Sequence, residues 1–329
     1  MKLNKNQTTV LITGAGGFIG GHLVNYLFKQ GYKNIRAVDI KPLKNWQQVN
    51  KNADNLVCDL RKLSNCHKVS QNINEIYNLA SDMGGMGFIE NNKALCMLNV
   101  LINTNMLIAA KEAKVNRYFF SSSACVYPLE KQQSSKTNGL KEQDAYPANP
   151  EDGYGWEKLF SERMCRHFME DFGLETRVAR FHNVYGPYSA FQGGREKAPA
   201  ALIRKTIEAK NSGNKEIEIW GDGQQSRTFM YIDDCVKGID LIMHSAIREP
   251  INLGTSQLVT INQLVSLIEK IANVRLKRKY KLDAPRGVRG RSSDNTLIKN
   301  YLNWEPCIPL EEGLKKNYQW IEQQMIKKC

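Results

Sequence analysis

Apolar positions in the first half of the chain fall into short β-branched runs separated by stretches with helical spacing. The predicted elements are strands at residues 8–13, 34–39, 75–79 and 117–121 and helices at 21–30 and 97–113. Strands that alternate with helices in this way pair in parallel, and the helices cover both faces of the sheet. The pattern therefore predicts an α/β fold built on a doubly wound parallel sheet.

The second half of the chain has a different pattern. Residues 183–194 are predicted as a loop, because glycine and proline punctuate them. A strand is predicted at 216–220, and helices at 261–272 and 311–328. The expected domains are a first domain over residues 1–180, with later segments near 230–245 returning to it, and a smaller, discontinuous α/β substrate domain mainly over 181–329.

The chain carries a large excess of positive charge. Its 329 residues include 46 Lys and Arg against 33 Asp and Glu, which gives a formal net charge of +13. Such an excess favours an anionic partner, either nucleic acid or a small molecule that bears a diphosphate. The densest basic run, at 275–281, contains Tyr280 as its one aromatic residue, and no nucleic-acid-binding motif accompanies it. We interpret the run as a solvated face and expect no nucleic-acid partner.

Neither a metal site nor a membrane segment is indicated. The 8 cysteines show no CxxC pair and no zinc-like Cys/His spacing, so free thiols and no metal are expected. They are Cys58, Cys66, Cys96, Cys125, Cys165, Cys235, Cys307 and Cys329. No apolar run approaches the roughly 18–20 residues of a membrane span, and no secretory signal pattern is seen. We therefore expect a cytoplasmic protein without a membrane partner.

A glycine-rich segment, TGAGGFIG at residues 13–20, follows the first predicted strand and opens a helix. Its glycines permit a tight turn, close approach of the backbone to a pyrophosphate, and close packing of helix on strand. The helix N-terminus supplies unpaired N–H groups and the positive end of a dipole. The segment predicts a Rossmann-like dinucleotide site at Gly14, Gly17, Phe18, Ile19 and Gly20.

Two carboxylates extend this predicted cofactor site. Asp39 ends the second strand, about 20 residues after the glycines, where it can accept hydrogen bonds from the adenosine ribose. A carboxylate there repels a 2′-phosphate, so NAD is predicted rather than NADP, although Lys41 and Lys44 follow closely. Asp59, after the third strand, is expected either to contact the adenine amino group or to cap a helix.

A Tyr-x-x-x-Lys pair, Tyr154 and Lys158, lies downstream of the strand that ends in SSSACVYP. At i and i+4 the two side chains share one face of a helix. We expect the ammonium to lower the pKa of the phenol, so that Tyr154 can take a proton from a sugar hydroxyl while hydride leaves for a nicotinamide. Lys158 can also hold the nicotinamide ribose, and Ser123 is the expected partner of the substrate hydroxyl.

Ser123, Tyr154 and Lys158 resemble the Ser/Thr–Tyr–Lys triad of the extended short-chain dehydrogenases/reductases. Within that family the chain resembles the GDP-mannose 3,5-epimerases from about residue 8 to 325. The segments that carry this resemblance are DMGGMGFI (82–89), SSACVYP (122–128), RFHNVYGP (180–187), GGREKAPAA (193–201), WGDG (220–223) and GVRGRSSDN (287–295). It implies an NAD-dependent sugar-nucleotide epimerase that acts on a GDP-hexose.

In the epimerases that the chain resembles, the cysteine and the lysine of these segments form an acid/base pair, which implies the same roles for Cys125 and Lys197. Oxidation at carbon 4 of a hexose acidifies the C–H bonds at carbons 3 and 5. Inversion at either carbon needs a base on one face and an acid on the other. A thiol and an amine, with reference pKa values of about 8.5 and 10.4, can serve if the site shifts them towards neutrality. Re-reduction at carbon 4 then recycles NAD.

The same resemblance implies a set of substrate contacts. Basic and polar side chains are expected to meet the nucleotide diphosphate, because bidentate Arg suits a pyrophosphate, and glycine would let the backbone approach the sugar. The implied residues are Gly84, Ser122, Ser123, Cys125, Asn183, Glu196, Lys197, Lys205, Gln225, Arg227 and Arg291.

Other functions remain open on sequence grounds. The same scaffold serves sugar-nucleotide 4-epimerases and 4,6-dehydratases, although a dehydratase commonly has Asp-Glu where Ala124 and Cys125 stand here. A non-catalytic NAD- or RNA-binding protein is the alternative of another class. By resemblance we expect a homodimer, with the helices at about 97–113 and 154–171 at its interface.

Overall fold

The computed structural model describes residues 4–285 and 287–327. Cys329, and Lys328 at the predicted end of the last helix, lie outside the described residues. The strands are β1 (Thr9–Thr13), β2 (Asn34–Asp39), β3 (Asp54–Val57), β4 (Glu75–Asn78), β5 (Arg117–Ser123), β6 (Glu175–Phe181), β7 (Asn183–Tyr185), β8 (Glu216–Trp220), β9 (Ser226–Arg227), β10 (Phe229–Tyr231), β11 (Ile251–Leu253), β12 (Val259–Thr260), β13 (Lys277–Lys281) and β14 (Gly290–Arg291). The helices are α1 (Phe18–Lys29), α2 (Leu63–Ser70), α3 (Met86–Asn91), α4 (Lys93–Met97), α5 (Asn99–Glu112), α6 (Asp152–Phe172), α7 (Ala198–Ser212), α8 (Ile232–Met243), α9 (Ile261–Ala272), α10 (Thr296–Leu302) and α11 (Leu310–Ile326).

A parallel sheet forms the centre of the fold. Within the described ranges its seven strands lie in the order β3-β2-β1-β4-β5-β6-β11, and all neighbours are parallel. The order reverses between β1 and β4, so the carboxyl ends of these two strands flank the crevice where open α/β sheets bind ligands. The predicted doubly wound, Rossmann-like α/β fold is confirmed.

Successive side chains of β1 pack alternately into the two hydrophobic cores, one on each face of this sheet. Val10 and Ile12 pack with buried residues of α1 and α8, whereas Leu11 packs with buried residues of α2 and α5. All three side chains are fully buried. Because successive residues of a strand point to opposite faces, a strand with apolar residues at every position must be covered on both sides. This explains why the run is continuously apolar.

Residues beyond 181 form most of a second region, in which α7, α9 and α11 contact one another. In this region β8 pairs with β13, and β7 pairs with β10. The prediction of a loop over 183–194 is wrong for its first three residues. Val184 and Tyr185 are buried, and their pairing with β10 makes Asn183–Tyr185 a strand.

Two later segments contact the sheet of the first region. α8, which lies within the 230–245 segment expected there, packs on α1, and β11 joins the sheet edge beside β6. The sequence pattern does not predict β11, because a three-residue apolar run cannot be distinguished from a buried loop. The domain boundary at residue 180 stays a prediction.

One helical stretch among the described residues, Lys93–Glu112, is long and apolar enough to cross a membrane by length and composition alone. The sequence pattern does not single it out, because asparagines interrupt its apolar run. The stretch comprises α4 and α5, which pack on α6, and α5 also packs on α2. Core helices of folded domains meet the same criterion of length and composition, and the packing of this stretch within the fold is of that kind.

Candidate active site

A cavity of about 660 Å³ lies at the carboxyl ends of the central strands. Its volume falls in the range of about 300–1,000 Å³ that is typical of small-molecule sites. All the residues that the sequence assigns to the cofactor line it: Gly14, Gly17, Phe18, Ile19, Gly20, Asp39, Asp59, Tyr154 and Lys158. The structure therefore brings the predicted cofactor residues together in one cavity.

The glycine-rich turn leaves no room for side chains. Gly14 has a φ of +69°, and a Cβ there would lie 2.9 Å from the carbonyl of Leu79. A Cβ at Gly20 would lie 2.2 Å from the Gly14 oxygen, so only glycine lets α1 pack this closely on the turn. The N-cap of α1 is Gly17, and no side chain caps the helix. Its first N–H groups therefore remain available at the cavity wall, as a dinucleotide pyrophosphate requires.

Asp39 and Asp59 both line the cavity but are bound differently. Asp39 accepts hydrogen bonds from the backbone N–H groups of Gly16 and Lys41, at 3.0 and 2.9 Å. A carboxylate has about four lone-pair sites, so this anchored Asp39 can still accept from ribose hydroxyls. Asp59 instead forms a two-pronged pair with Arg61, with both nitrogen–oxygen distances at 2.9 Å. Asp59 does not cap α2, whose N-cap residue is Lys62, and its predicted contact with the adenine stays a prediction.

Tyr154 and Lys158 lie in the first turns of α6. The Lys158 Nζ donates to the carbonyl oxygen of Ser121 at 3.0 Å, and the Tyr154 phenol interacts with the Ser123 hydroxyl. Burial raises the pKa of Tyr154 well above its usual value, with Cys125 adding to the effect. The expectation of a lowered pKa for this phenol is wrong, because its burial is the largest cause and raises the pKa. Burial also lowers the pKa of Lys158.

A second cavity of about 270 Å³ opens beside the first. The two cavities share the wall that carries the predicted chemistry: Met83, Gly84, Ser123, Tyr154, Phe181, His182 and Lys197. A molecule in the second cavity therefore meets the hydroxyl groups of Ser123 and Tyr154 at the boundary with the cofactor cavity. Such a boundary is where a hydride can pass between two ligands.

Cys125 lies in a 3-10 turn directly after β5. Its N–H donates to the Ser123 Oγ at 3.2 Å, and the Arg291 Nη1 donates to its Sγ at 3.4 Å. Burial raises the pKa of the thiol, and Arg291 opposes this effect. A protonated thiol with an adjacent guanidinium can give up a proton and leave a stabilised thiolate.

Lys197 is the N-cap residue of α7, and Pro199 follows it within the first turn of that helix. Burial lowers the pKa of its amine, and Cys125 opposes this effect, whereas Arg291 adds to it. A lowered pKa gives an amine that can accept a proton near neutral pH. The pKa of the amine thus shifts towards neutrality, as expected, whereas the pKa of the thiol shifts away from it, because burial disfavours the thiolate. The two shifts favour an amine that accepts a proton and a thiol that carries one.

The other substrate residues implied by resemblance also line the second cavity, with one exception. These are Gly84, Asn183, Glu196, Lys205, Gln225, Arg227 and Arg291. The exception is Ser122, which lines the cofactor cavity and donates its hydroxyl to the buried carboxylate of Glu162. Its single hydroxyl proton is therefore used by Glu162, and a substrate contact from the Ser122 side chain stays a prediction.

Several polar atoms of the second cavity suit a charged, hydroxyl-rich ligand. The Glu196 Oε2 and the Gln225 Oε1 are buried, with no hydrogen-bond partner among the described residues. Burial, followed by repulsion from Arg291, lowers the pKa of Arg227 to about 10. An anionic ligand would relieve the repulsion between these guanidinium groups, and ligand hydroxyls would satisfy the acceptor atoms.

Three residues that the sequence does not single out also line this cavity: Glu151, His182 and Trp220. His182 is fully enclosed, and burial lowers its pKa to about 3. Glu151 pairs with Arg291 across 140 positions of sequence. Trp220 and His182 lie within the segments WGDG and RFHNVYGP that carry the resemblance, whereas no sequence signal marks Glu151, because its contact with Arg291 is distant along the chain.

The family model of the NAD dependent epimerase/dehydratase family matches residues 10–254. This range contains the glycine-rich turn, both predicted catalytic pairs and most of the second cavity. The chain belongs to the NAD-dependent epimerase/dehydratase family. The prediction of NAD as the cofactor is confirmed with it, and the glycine cradle and Asp39 fit that cofactor.

Curated relatives narrow the similarity within the family. GDP-mannose 3,5-epimerase 1 of Oryza sativa subsp. indica is 43% identical over 325 residues, which cover 97% of this chain and 82% of the relative. GDP-mannose 3,5-epimerase of Arabidopsis thaliana is 42% identical, with coverage of 97% and 83%. The resemblance to these epimerases is confirmed.

Solved structures share the fold and the reaction class. UDP-glucose 4-epimerase of Thermotoga maritima, solved with UDP-glucose, has a TM-score of 0.86 at 26% identity, with coverage of 97% of this chain and 100% of that one. UDP-glucuronic acid 4-epimerase of Bacillus cereus, solved with UDP-glucuronic acid and NAD, has a TM-score of 0.83 at 26% identity, with coverage of 96% and 100%. The predicted class of enzyme, an NAD-dependent sugar-nucleotide epimerase, is confirmed.

Proposed function

We propose that this enzyme epimerises a GDP-hexose, GDP-mannose in the first instance, at carbons 3 and 5. One observation carries the proposal. The wall shared by the two cavities holds Tyr154 and Ser123 for redox chemistry at carbon 4, with Cys125 and Lys197 for proton transfer beside them. The similarity to GDP-mannose 3,5-epimerases supports the same substrate.

Tyr154 and Ser123 act on the hydroxyl at carbon 4. NAD supplies the hydride acceptor and a positively charged ring when it is bound. Ser123 orients the substrate hydroxyl, and Tyr154 receives its proton as the phenolate form. Lys158, held by the Ser121 carbonyl, lies 5.6 Å from the centroid of the Tyr154 ring, and we propose that its ammonium offsets part of the burial that disfavours this phenolate. The same groups return the proton when the ketone is reduced.

Cys125 and Lys197 act while carbon 4 is a ketone. The ketone stabilises the carbanion at either neighbouring carbon, so an amine with a lowered pKa can remove a proton there. A thiol on the other face can then deliver a proton and invert the centre. Both groups line the second cavity. We propose this acid/base role for the pair, and a 4-epimerase would not need it.

The GDP moiety occupies the rest of the second cavity. Arg227 and Arg291 supply positive charge for a diphosphate, and Lys205, Gln225 and Asn183 supply polar contacts further along the wall. Gly84 lines this cavity, and its own packing excludes a side chain, because a Cβ there would lie 2.7 Å from the Cβ of Phe88. We propose that the sugar lies against its backbone. The net charge of +13 also favours an anionic substrate.

Proton NMR of GDP-mannose incubated with the enzyme in deuterium oxide tests this function. We expect loss of the signals at carbons 3 and 5 and new galactose- and gulose-configured products. Inversion at carbon 4 alone, or a 4-keto-6-deoxy product, would replace the proposal with a 4-epimerase or a 4,6-dehydratase. Salt-sensitive RNA binding without turnover of any GDP-, UDP- or dTDP-sugar would point to a non-catalytic protein.

We further propose a homodimer in the cytoplasm. Apolar side chains of the predicted interface helices are about half exposed: Met97, Leu98, Leu101, Trp156 and Phe160. α4 and α5 pack on α6, so these side chains form neighbouring surfaces that a second copy can cover. Sedimentation equilibrium should give twice the chain mass, with Phe160→Glu shifting the distribution to monomers. Cell fractionation tests the location.

A further inference from the structure

Glu151 immediately precedes α6 and is packed against Cys125. Its N–H donates to the Cys125 carbonyl oxygen at 2.9 Å. Gly155, one turn later, allows this approach, because a Cβ there would lie 2.3 Å from the same oxygen. The first turn of the helix that carries Tyr154 is therefore seated on the backbone of the reactive thiol.

The side chain of Glu151 joins the thiol to Arg291. Its Oε2 accepts from the Arg291 Nη2 at 2.7 Å, while the Arg291 Nη1 donates to the Cys125 Sγ at 3.4 Å. The negative charge of Glu151 raises the pKa of the Cys125 thiol, whereas Arg291 lowers it. The Arg291 Nε donates to the Gln132 Oε1 at 2.5 Å, so each of the three guanidinium nitrogens has a partner. Cys125, Glu151 and Arg291 are each less than one-tenth exposed.

Positive groups outnumber negative groups around the Cys125 thiol. Arg291 and Arg227 approach from β14 and β9, and Lys197 approaches from the start of α7. Glu151 supplies the negative charge that pairs with Arg291 and acts on the thiol, and Ser123 and Tyr154 are neutral neighbours. Without that negative charge, Arg291 would draw the sulfur towards the thiolate.

We propose that Glu151 is a positioning residue for Cys125: it pairs with Arg291, the guanidinium that contacts the sulfur, and balances its charge, so that the sulfur begins the reaction as an aligned thiol. This assignment rests on the proposed function. The Sγ–H bond breaks as its proton passes to the substrate carbanion, and the electron pair stays on sulfur as a thiolate beside Arg291. Lys197 retains the proton that it removed from the opposite face. Glu151 keeps its own charge throughout.

Peptide-resolved alkylation by iodoacetamide tests the proposal without turnover. In Glu151→Gln, which keeps the shape and an acceptor for Arg291, the midpoint pH of Cys125 alkylation should fall by at least one unit, and the rate at pH 7 should rise about tenfold. Glu151→Asp keeps the negative charge, and its midpoint pH should therefore stay near that of the parent enzyme. The exposed Cys307 serves as the reference thiol in each sample. Glu170→Gln, at the exposed end of the same helix, is the matched control and should leave the midpoint unchanged.

An unchanged midpoint in Glu151→Gln, or an equal change in Glu170→Gln, overturns the proposal. If Glu151→Gln does not fold, Arg291→Gln gives the converse test. It should raise the midpoint, and a lowered or unchanged midpoint there overturns the proposal equally. If the midpoint shifts in Glu151→Gln but the parent enzyme leaves GDP-mannose unchanged, only the proposed substrate is wrong. If the parent enzyme converts GDP-mannose but the midpoint does not shift, only the role of Glu151 is wrong.

Discussion

Arg180 and Glu162 form a buried, two-pronged ion pair, in which Nε lies 2.9 Å from Oε1 and Nη2 lies 2.7 Å from Oε2. Both side chains are almost fully enclosed. The pair joins β6 to α6, and the same carboxylate accepts a hydrogen bond from Ser122 at the end of β5. The helix that carries Tyr154 is thus tied to two strands of the central sheet at one point.

Breaking one side of this pair should be costly. Arg180→Met leaves the Glu162 carboxylate buried without its counter-charge, and we expect the free energy of unfolding to fall by about 3–5 kcal/mol. The double variant with Glu162→Met removes both charges and should lose less than Arg180→Met alone. Urea unfolding followed by circular dichroism measures both. If the double variant is less stable than Arg180→Met, the unpaired charge of Glu162 is not the cause of the lost stability.

Local signals made the cofactor half of the site predictable. The glycine turn, the carboxylate that ends β2 and the i, i+4 spacing of Tyr154 and Lys158 each depend on residues close together in sequence. Their roles are fixed by one turn, one strand end and one helix face. The parallel sheet was predictable for the same reason, since its strands alternate with helices along the chain.

Long-range contacts limited the rest of the prediction. The pairing of Glu151 with Arg291 spans 140 positions, and no local pattern indicates it. Ser122 lies beside Ser123 in the same motif, yet alternation along β5 turns its hydroxyl to Glu162. The pKa of Tyr154 depends on burial, which the spacing of Tyr154 and Lys158 does not report. Packing, rather than spacing, decides such properties.

Asp39 should govern the choice between NAD and NADP. Its carboxylate is fixed by the N–H groups of Gly16 and Lys41, so its charge faces the position of an adenosine ribose. Asp39→Asn keeps an acceptor but removes the charge, and we expect the ratio of NAD to NADP affinity to fall about tenfold or more. Calorimetric titration with the two cofactors measures the ratio. Asp54→Asn, a surface carboxylate paired with Arg36, is the control and should leave it unchanged.

His244 should make stability depend on pH in the alkaline range. Burial disfavours its charge, but hydrogen bonds with Asp240 and Glu75 outweigh burial and raise its pKa from 6.5 to about 9. Because the folded-state pKa lies above the unfolded one, the stabilisation is complete below about pH 6.5 and disappears as the pH rises to about 9. It amounts to about 3 kcal/mol at most.

The unfolding midpoint of His244→Gln, compared with the parent from pH 6 to 10, checks this dependence. The difference between the two should be largest at the acid end of that range and should vanish by about pH 9. A difference that is constant with pH would mean that His244 contributes only packing.

Cys125 and Lys197 should be separable from Tyr154 by experiment, because they serve inversion and not hydride transfer. With GDP-mannose, Cys125→Ala should still form reduced cofactor, yet deuterium uptake at the inverted carbons should fall by about 10²-fold or more. Lys197→Met should behave alike, whereas Tyr154→Phe should lose both signals, because no ketone forms to acidify the neighbouring C–H bonds. Cys165→Ala, which removes a buried thiol on α6 outside either cavity, is the matched control. Uptake at the parental rate in Cys125→Ala would assign the acid to another group on the cavity wall, and equal loss of both signals would place the thiol in the hydride step.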